Sequence, residues 1–172
     1  MLVAEKIYEA ISAGSGYFNH GHTYMGHAVG CAAALAVQRV IQQDDLLANV
    51  RRQGDTLTRM LERRFGDHPH VGDIRGRGLL QAIELVADRS TRQAFPAANR
   101  LHAQIKEQAM ASGLICYPGG GTADGVSGDH VLIAPPFNVT EHEIEEIVTR
   151  LGVAVDRALE ALESQVAGPA GP

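Results

Sequence analysis

The sequence predicts a small α+β domain over residues 71–163, in which helices cover one face of an antiparallel sheet. From residue 71 onward the apolar pattern reads strand, strand, helix, strand, strand, helix, and turn residues separate these segments. Residues 1–70 show only the three- and four-residue spacing of helices. These earlier helices have no sheet of their own to cover, so we expect them to be the end of a larger domain that begins upstream.

Two helices and a loop are expected in residues 1–43. Residues 2–12 have an amphipathic pattern, and the glycines and small polar residues of 13–27 indicate a loop. Between Ala28 and Gln43 nearly every residue is small or aliphatic. A helix that is apolar on most sides has to be covered by other structure, so we expect this helix to be interior.

A connecting helix is predicted within residues 44–70. Apolar residues recur there at steps of three and four with arginines on the opposite face, and Asp44 or Asp45 is expected to cap the helix start. The helix is therefore amphipathic. Its apolar positions include Leu46, Leu47, Val50, Leu57, Leu61 and Phe65.

Two pairs of strands are predicted after this helix. The segment VGDIRGRGLLQAIELV (71–86) starts with a β-branched residue, is broken by Gly76 and Gly78, and then alternates, which predicts a strand, a kink and a second strand. LICYP (114–118) and HVLIAPP (130–136) are short apolar runs separated by a turn-rich stretch. We expect these two runs to pair as antiparallel neighbours.

Two helices complete the predicted domain. Pro96 suits a first helical turn and Gly113 a left-handed stop, which predicts a helix over residues 97–112. Thr140 begins a Thr-x-x-Glu capping box ahead of a long apolar stripe, which predicts the last helix. We expect residues 164–172 to be a disordered tail.

Composition and charge exclude several classes of function. The 172-residue chain has a formal net charge of -5, which leaves no basic face for a nucleic-acid backbone. The first residues lack the features of a signal peptide, and no run approaches the roughly 18 apolar residues of a membrane-spanning helix. Cys31 and Cys116 form no CxxC pair and lie in apolar runs, so we expect reduced, buried thiols. We expect a cytoplasmic protein without nucleic-acid or membrane partners.

Three histidines lie in the stretch FNHGHTYMGHAVGCAAALA (18–36), directly before the apolar helix. His20, His22 and His27 raise the possibility of a metal site. A His-x-His pair followed by a four-residue gap is not a spacing that a coordination geometry explains, and the stretch contains no acid to complete a ligand set. We therefore predict no metal here.

The same stretch has the donors of a phosphate site. Gly21, Thr23 and Gly26 lie just before a helix whose first N-H groups are free to meet an anion, and the threonine hydroxyl adds a further donor. Glycine and threonine at a helix entry are more often simple caps than anion sites. Both interpretations stay open on this pattern alone.

Few other residues have the pattern of a catalytic or binding group. Arg75 or Arg77 could hold a substrate carboxylate, although solvated arginines at a strand kink are the simpler interpretation, above all for Arg77. Lys6 and Lys106 lie on surface-type helices beside acids, so neither is expected to act as a nucleophilic amine. The glycine-rich run after residue 118 has no nucleotide-loop spacing and is expected to be a hairpin connection.

The stretches together resemble the class III pyridoxal-phosphate-dependent aminotransferases of the ω-amino-acid and amine:pyruvate type. GHTYMGHAVGCAAALA is similar to that family's GHTYSGHPVACAAALA, with Met25 and Ala28 replacing a small residue and a proline. VGDIRGRGLLQAIELV, SGLICYPGGG and GDHVLIAPPFNVTEHEIEEIVTRL resemble later family blocks in the same order. The resemblance runs from about Leu2 to Leu162, and it implies the C-terminal part of the α/β fold called fold-type I.

The resemblance implies pyridoxal 5′-phosphate as the cofactor and a homodimer as the assembly. In the family the GHT turn crosses the dimer interface, so the His22 backbone and the Thr23 side chain would contact a cofactor phosphate held mainly by the other subunit. The implied reaction moves an amino group from an amine or ω-amino acid to a keto acid such as pyruvate. Arg75 and Tyr117 are the local residues that we expect to contact substrate.

The resemblance also implies that the chemical groups lie upstream: the Schiff-base lysine, the acid that pairs with the pyridine nitrogen, and the aromatic residue that stacks on the ring. Residues 1–43 would then be the residual end of the large cofactor domain. The chain alone would have no catalytic residue and would be inactive. Alternatively, it serves as a non-catalytic assembly or regulatory module that pairs with a separate N-terminal partner, as the apolar helix over 28–43 suggests.

Overall fold

The computed structural model of the protein describes residues 3–166. The chain divides after Val40 into two compact units. Of the predicted disordered tail, residues 164–172, the part from 167 to 172 lies outside the described residues, whereas residues 164–166 belong to the last helix, against the prediction. None of the helices within residues 3–166 combines the length and the apolar character that crossing a bilayer requires.

The first unit contains helix α1 (Glu5–Ala13), a stretch of turns, and the start of helix α2 (Ala28–Gln43). Both helices were predicted within a few residues of these bounds. The prediction that α2 is interior is wrong for this chain, because none of its residues is buried. Cys31 on this helix is likewise exposed and not buried as predicted. Local backbone hydrogen bonds thus form α2 without a covering layer.

The second unit is an α+β domain whose four strands form one antiparallel sheet in the order β1-β2-β4-β3. The predicted antiparallel pairing of the two later strands is confirmed, but the first of them covers Tyr117–Gly120 and not the predicted 114–118, so that Gly119 and Gly120 belong to the strand and not to the hairpin connection. The elements are α3 (Leu46–Phe65), β1 (Val71–Arg77), β2 (Leu80–Leu85), a 3-10 turn (Ala97–Asn99), α4 (Leu101–Ala111), β3 (Tyr117–Gly120), β4 (Asp129–Ile133) and α5 (Glu141–Val166).

Helices cover one face of this sheet, as the sequence predicts. Helix α3 contacts β1 and β2, α4 contacts β3 and β4, and α5 packs against both of these helices. Alternate residues of β2 and β4 are buried, so one set of side chains faces the helices and the other set forms an open face. The largest fully buried side chains are Phe65, Leu57, Leu61, Ile83, Leu85, Leu101, Ile105, Ile144 and Leu151.

The starts of α3 and α4 differ from the prediction, because the residue before each helix has a left-handed backbone and makes no capping hydrogen bond through its side chain. Asp45 precedes α3 with a φ of 47° and makes no capping hydrogen bond through its side chain. Arg100 also has a φ of 47°, which divides the predicted helix over 97–112 into a 3-10 turn and α4. Gly113 ends α4 with a positive φ, as predicted.

The capping box before α5 is confirmed. The Glu143 carboxylate accepts hydrogen bonds from the backbone N-H and the hydroxyl of Thr140, both at 2.8 Å. In return the Glu143 N-H donates to the Thr140 hydroxyl at 3.3 Å. These bonds lower the pKa of Glu143 below its usual value, and they hold the helix start in place.

Helix α3 and the β1–β2 turn approach each other through two glycines. A Cβ placed on Gly54 would lie 2.6 Å from backbone atoms of Gly78, closer than real Cβ atoms come. Gly78 itself has a φ of 57°, the left-handed conformation that the tight turn requires. The helix can therefore approach the sheet this closely only because Gly54 has no side chain.

The variant Gly54→Ala is expected to lower the free energy of unfolding by about 1 to 3 kcal/mol, because the added methyl group overpacks this contact. The direction is informative, since alanine in a helix is intrinsically better than glycine by about 1 kcal/mol. Urea denaturation measures the change, with the exposed Arg51→Ala on the same helix as control. A Gly54→Ala protein as stable as the Arg51→Ala control would contradict the close contact.

A histidine joins α3 to α5 beside the start of β1. Arg64 forms an ion pair with Asp156, and His68 Nε2 lies 3.6 Å from the same carboxylate. Burial lowers the pKa of His68 below its usual 6.5, and nearby Arg64 adds to this, while Asp156 acts in the opposite direction. The folded protein therefore holds the imidazole in its neutral form more strongly than the unfolded chain does.

This lowered pKa predicts a pH dependence. The contribution of His68 to stability is complete above pH 6.5, the ordinary histidine value, and is lost as the pH falls below it, because the unfolded chain then binds the proton more readily. Urea denaturation between about pH 7 and pH 5 should give a shallower decline for His68→Gln than for the parent. His142→Gln, which removes an exposed imidazole, is the control. Parallel declines in parent and His68→Gln would refute the assignment.

Candidate functional site

The histidine- and glycine-containing stretch of the first unit folds into two consecutive turns. The Met25 N-H donates to the His22 carbonyl at 3.0 Å, and the His27 N-H donates to the Tyr24 carbonyl at 3.1 Å. Thr23 lies inside the first of these turns, and its side chain is exposed. Gly26 takes a φ of 73° inside the second turn, which runs from Tyr24 to His27 and overlaps the first.

His20 and His27 of this stretch have different side-chain contacts. His20 lies with its ring centroid 5.7 Å from that of Phe18. His27 Nδ1 accepts a hydrogen bond from the Gly30 N-H at 3.3 Å, so this side chain caps α2. Among the described residues, no group of three or more His, Cys, Asp or Glu side chains is placed to hold a metal ion.

The donors around Thr23 are suited to one side of a phosphate group. An exposed hydroxyl and the backbone amides of a turn are neutral donors of the kind that phosphate oxygens accept. The stretch from residue 18 to 36 contains neither lysine nor arginine. These residues can therefore supply hydrogen bonds to a phosphate, and its charge would have to be balanced elsewhere.

Arg75 is engaged by two carboxylates on the open face of the sheet. Its Nη1 lies 2.7 Å from Asp73 and 2.5 Å from Glu84, the latter on the neighbouring strand. The hydrogen bond to Glu84 and then that to Asp73 raise the pKa of the Arg75 guanidinium above its usual value. This geometry favours the interpretation of Arg75 as a member of a surface ion cluster over recognition of a substrate carboxylate.

Tyr117 shares a row of the sheet with Arg75. The register pairs Arg75 with Ala82, Ala82 with Leu132, and Leu132 with Tyr117, so all four side chains project from the open face. Three strand spacings put the two ends of the row about 14 Å apart. Tyr117 is 71% exposed. The row therefore has two apolar side chains, Ala82 and Leu132, between the Arg75 ion cluster at one end and the Tyr117 phenol at the other.

The structure also brings together a carboxylate and a histidine that the sequence does not connect. Asp129 Oδ1 lies 2.5 Å from His102 Nδ1 and accepts the His102 backbone N-H at 3.0 Å. The Asp129 side chain is only 6% exposed. The same oxygen also accepts a hydrogen bond from an N-H in the first turn of α4, so the Asp129–His102 pair holds the helix against the sheet. This structural role is enough to explain the pair without a reactive group beside it.

The remaining reactive side chains are easily placed. Lys6 and Lys106 are both exposed. Cys116 is half-buried, and burial raises the pKa of its thiol, which keeps it protonated. Because Lys6 and Lys106 are exposed, neither has the desolvated surroundings that activate an amine.

Comparison with known proteins assigns the family. Residues 1–155 match the family described as Aminotransferase class-III. The chain belongs to the class III aminotransferases. The resemblance seen in the sequence is thereby confirmed, and dependence on pyridoxal 5′-phosphate is implied by the family.

Individual relatives agree with this assignment. An aminotransferase of Gibberella zeae is 45% identical over 160 residues, which are 92% of this chain and 31% of that protein. The diaminobutyrate–2-oxoglutarate transaminase of Halomonas elongata is 33% identical over 165 residues, 94% of this chain and 34% of that protein. The chain thus spans about a third of the length of the curated relatives it matches.

Solved structures extend the match to the fold. A Bacillus anthracis aminotransferase superposes with a TM-score of 0.78 and 33% identity, covering 90% of this chain and 34% of its own. A transaminase from the marine bacterium Virgibacillus gives a TM-score of 0.80 at 28% identity, covering 93% of this chain and 35% of its own. The α/β class predicted for this class III aminotransferase chain, fold-type I, is confirmed.

The variant Asp129→Ala is expected to lower the free energy of unfolding by about 1 to 3 kcal/mol, because it leaves the α4 amide and the His102 ring without their acceptor. Asp129→Asn keeps an acceptor oxygen and should lose less. Thermal or urea denaturation measures both, with the exposed Asp67→Ala as control. Equal losses for Asp129→Ala and Asp67→Ala would show that the pair does not hold α4.

Proposed function

We propose that this chain is the C-terminal part of a pyridoxal-phosphate-dependent class III transaminase. The parent reaction moves an amino group from an amine or ω-amino acid to a keto acid such as pyruvate. The family match over residues 1–155 carries this proposal. The exposed Thr23 turn supports it, because its donors suit a phosphate group.

In this proposal Thr23 and His22 form the share of the cofactor site that this chain contributes. The Thr23 hydroxyl and a backbone N-H at His22 donate to phosphate oxygens. The cofactor, when bound, supplies an electron sink for the reacting amine carbon. Because the turn contains no lysine or arginine, its role is to orient the phosphate and not to neutralise it. Pairing of two subunits in a homodimer would bring this turn to a site held mainly by the other subunit.

Substrate contact is proposed for the open face of the sheet. Tyr117 offers an exposed ring and hydroxyl there. Arg75 lies at the other end of the row, where Asp73 and Glu84 already occupy its Nη1. A contribution from Arg75 would therefore depend on its remaining N-H groups.

We further propose that the chain on its own does not catalyse transamination and holds no catalytic residue. The exposure of Lys6 and Lys106 supports this, since neither amine lies in the closed, desolvated surroundings that activate a lysine as a nucleophile. A complementing N-terminal fragment or full-length subunit would then supply the lysine. Residues 1–43 would be the end of the large cofactor domain in that assembly.

A second candidate is a non-catalytic assembly or regulatory module that pairs with a separate N-terminal partner. The observation that favours it is the exposure of apolar side chains along α2. Several exposed apolar side chains along one helix are a feature of interaction sites. The side chains concerned are Val29, Leu35, Val37 and Val40.

The test is covalent trapping of the cofactor. The purified chain is incubated with pyridoxal 5′-phosphate, reduced with borohydride and examined by mass spectrometry. We expect only weak labelling shared by Lys6 and Lys106, because neither lysine is held in a closed site. Lys6→Arg and Lys106→Arg variants are the matched controls, and each should lose only its own share of the label.

Stoichiometric labelling at one lysine, together with the absorbance band of an ordinary holoenzyme, would refute the proposed inactivity. Activity assays with an amine and pyruvate add a second readout. The chain alone is expected to show no turnover. Co-expression with a lysine-bearing N-terminal fragment should restore it if the fragment proposal is right, whereas a stable complex without turnover would favour the assembly module.

A further inference from the structure

The His27 ring occupies the start of α2. Its Nδ1 accepts the Gly30 N-H at 3.3 Å, while its carbonyl accepts the Cys31 N-H at 2.9 Å. His27 is therefore the N-cap residue of the helix, and its ring does what an Asn or Ser side chain does elsewhere. Because Nδ1 acts as an acceptor, the proton of the neutral ring is on Nε2.

The same residue is bound to the turn that contains Thr23. The His27 N-H donates to the Tyr24 carbonyl at 3.1 Å, and the Tyr24 ring meets the imidazole edge-on with centroids 5.9 Å apart. Tyr24 directly follows Thr23 within the turn closed by Met25 and His22. His27 thus joins the helix start to the end of the Thr23 turn, through its ring on one side and through its backbone N-H and the Tyr24 ring contact on the other.

The cap also decides where an anion can bind. The free N-H groups at the start of a helix attract phosphate. Here the imidazole already takes the Gly30 N-H, whereas the Thr23 hydroxyl remains exposed. Two neighbouring sets of donors are present, the Thr23 turn and the first amides of α2. The His27 ring occupies the second set by accepting the Gly30 N-H.

We propose that His27 is a positioning residue that caps α2 with a neutral imidazole, fixes the Thr23 turn against the helix, and thereby directs phosphate to Thr23 and away from the α2 amides. This inference deepens the proposed function and rests on it for the identity of the ligand. The capping itself is independent of that function.

The capping depends on an acceptor atom in the side chain of residue 27. An asparagine at this position would cap the helix through its side-chain oxygen, whereas an alanine offers no acceptor to the Gly30 N-H.

The experiment is NMR on the full 172-residue chain, labelled with 15N, as the parent and as His27→Ala and His27→Asn. In the parent, the ring should be the Nε2-H tautomer at neutral pH. Exchange protection of the Gly30 amide should fall about fivefold in His27→Ala, the usual effect of a lost N-cap. It should be retained in His27→Asn, whose side-chain oxygen still accepts the Gly30 N-H.

Inorganic phosphate and pyridoxal 5′-phosphate are then titrated separately. Both should shift the Thr23 amide in the parent and in His27→Asn. In His27→Ala the shifts should move to the Val29 and Gly30 amides. Because His27 is exposed, these variants should fold, and unchanged amide shifts over residues 71–163 verify it.

An Nδ1-H tautomer, or equal Gly30 protection in parent and His27→Ala, would overturn the inference while leaving Thr23 as a phosphate contact in the proposed function. Shifts at Gly30 and not at Thr23 in the parent would overturn the directing role. An intact cap with no response of residues 20–30 to either anion would refute the phosphate contact itself, and with it both the directing role and that part of the proposed function.

Discussion

One-sided cover of the antiparallel sheet is the constraint on which the second unit depends. Since successive side chains of a strand point to opposite faces, packing α3 and α4 on one face fixes which residues are buried and which meet solvent. Ile83 and Val131 become core for this reason, while Ala82 and Leu132, one position away, lie on the open face. A shift of one residue in register would exchange these sets.

The first unit is held by a different kind of interaction. Within residues 3–40 every side chain is exposed except that of Ile11, which is half-buried, so apolar burial contributes little there. Hydrogen bonds between near neighbours in sequence, such as those that close the turns at His22 and Tyr24, determine its conformation. This difference separates the two candidate surfaces: the open sheet face is positioned by a core, and the Thr23 turn by local geometry.

The sequence predicts those features whose cause is local and fails for those that depend on distant residues. The change of period at residue 71 and the Thr140 capping box are local, and both are confirmed. The Arg75–Glu84 ion pair depends on strand register, and the Asp129–His102 pair joins residues 27 positions apart, so neither follows from a linear pattern. Arg100 shows a third case, since its left-handed backbone is not a preference of arginine.

The choice of residue at the start of α2 follows from charge as much as from geometry. An aspartate at position 27 would cap a helix at least as well as histidine. Its negative charge, however, would lie beside a turn whose donors suit a phosphate, and no lysine or arginine between residues 18 and 36 would offset the repulsion. A neutral imidazole satisfies the Gly30 N-H without adding charge. Histidine can therefore stabilise the helix start without placing a negative charge beside Thr23 that would repel an anion. A carboxylate cannot combine these two properties.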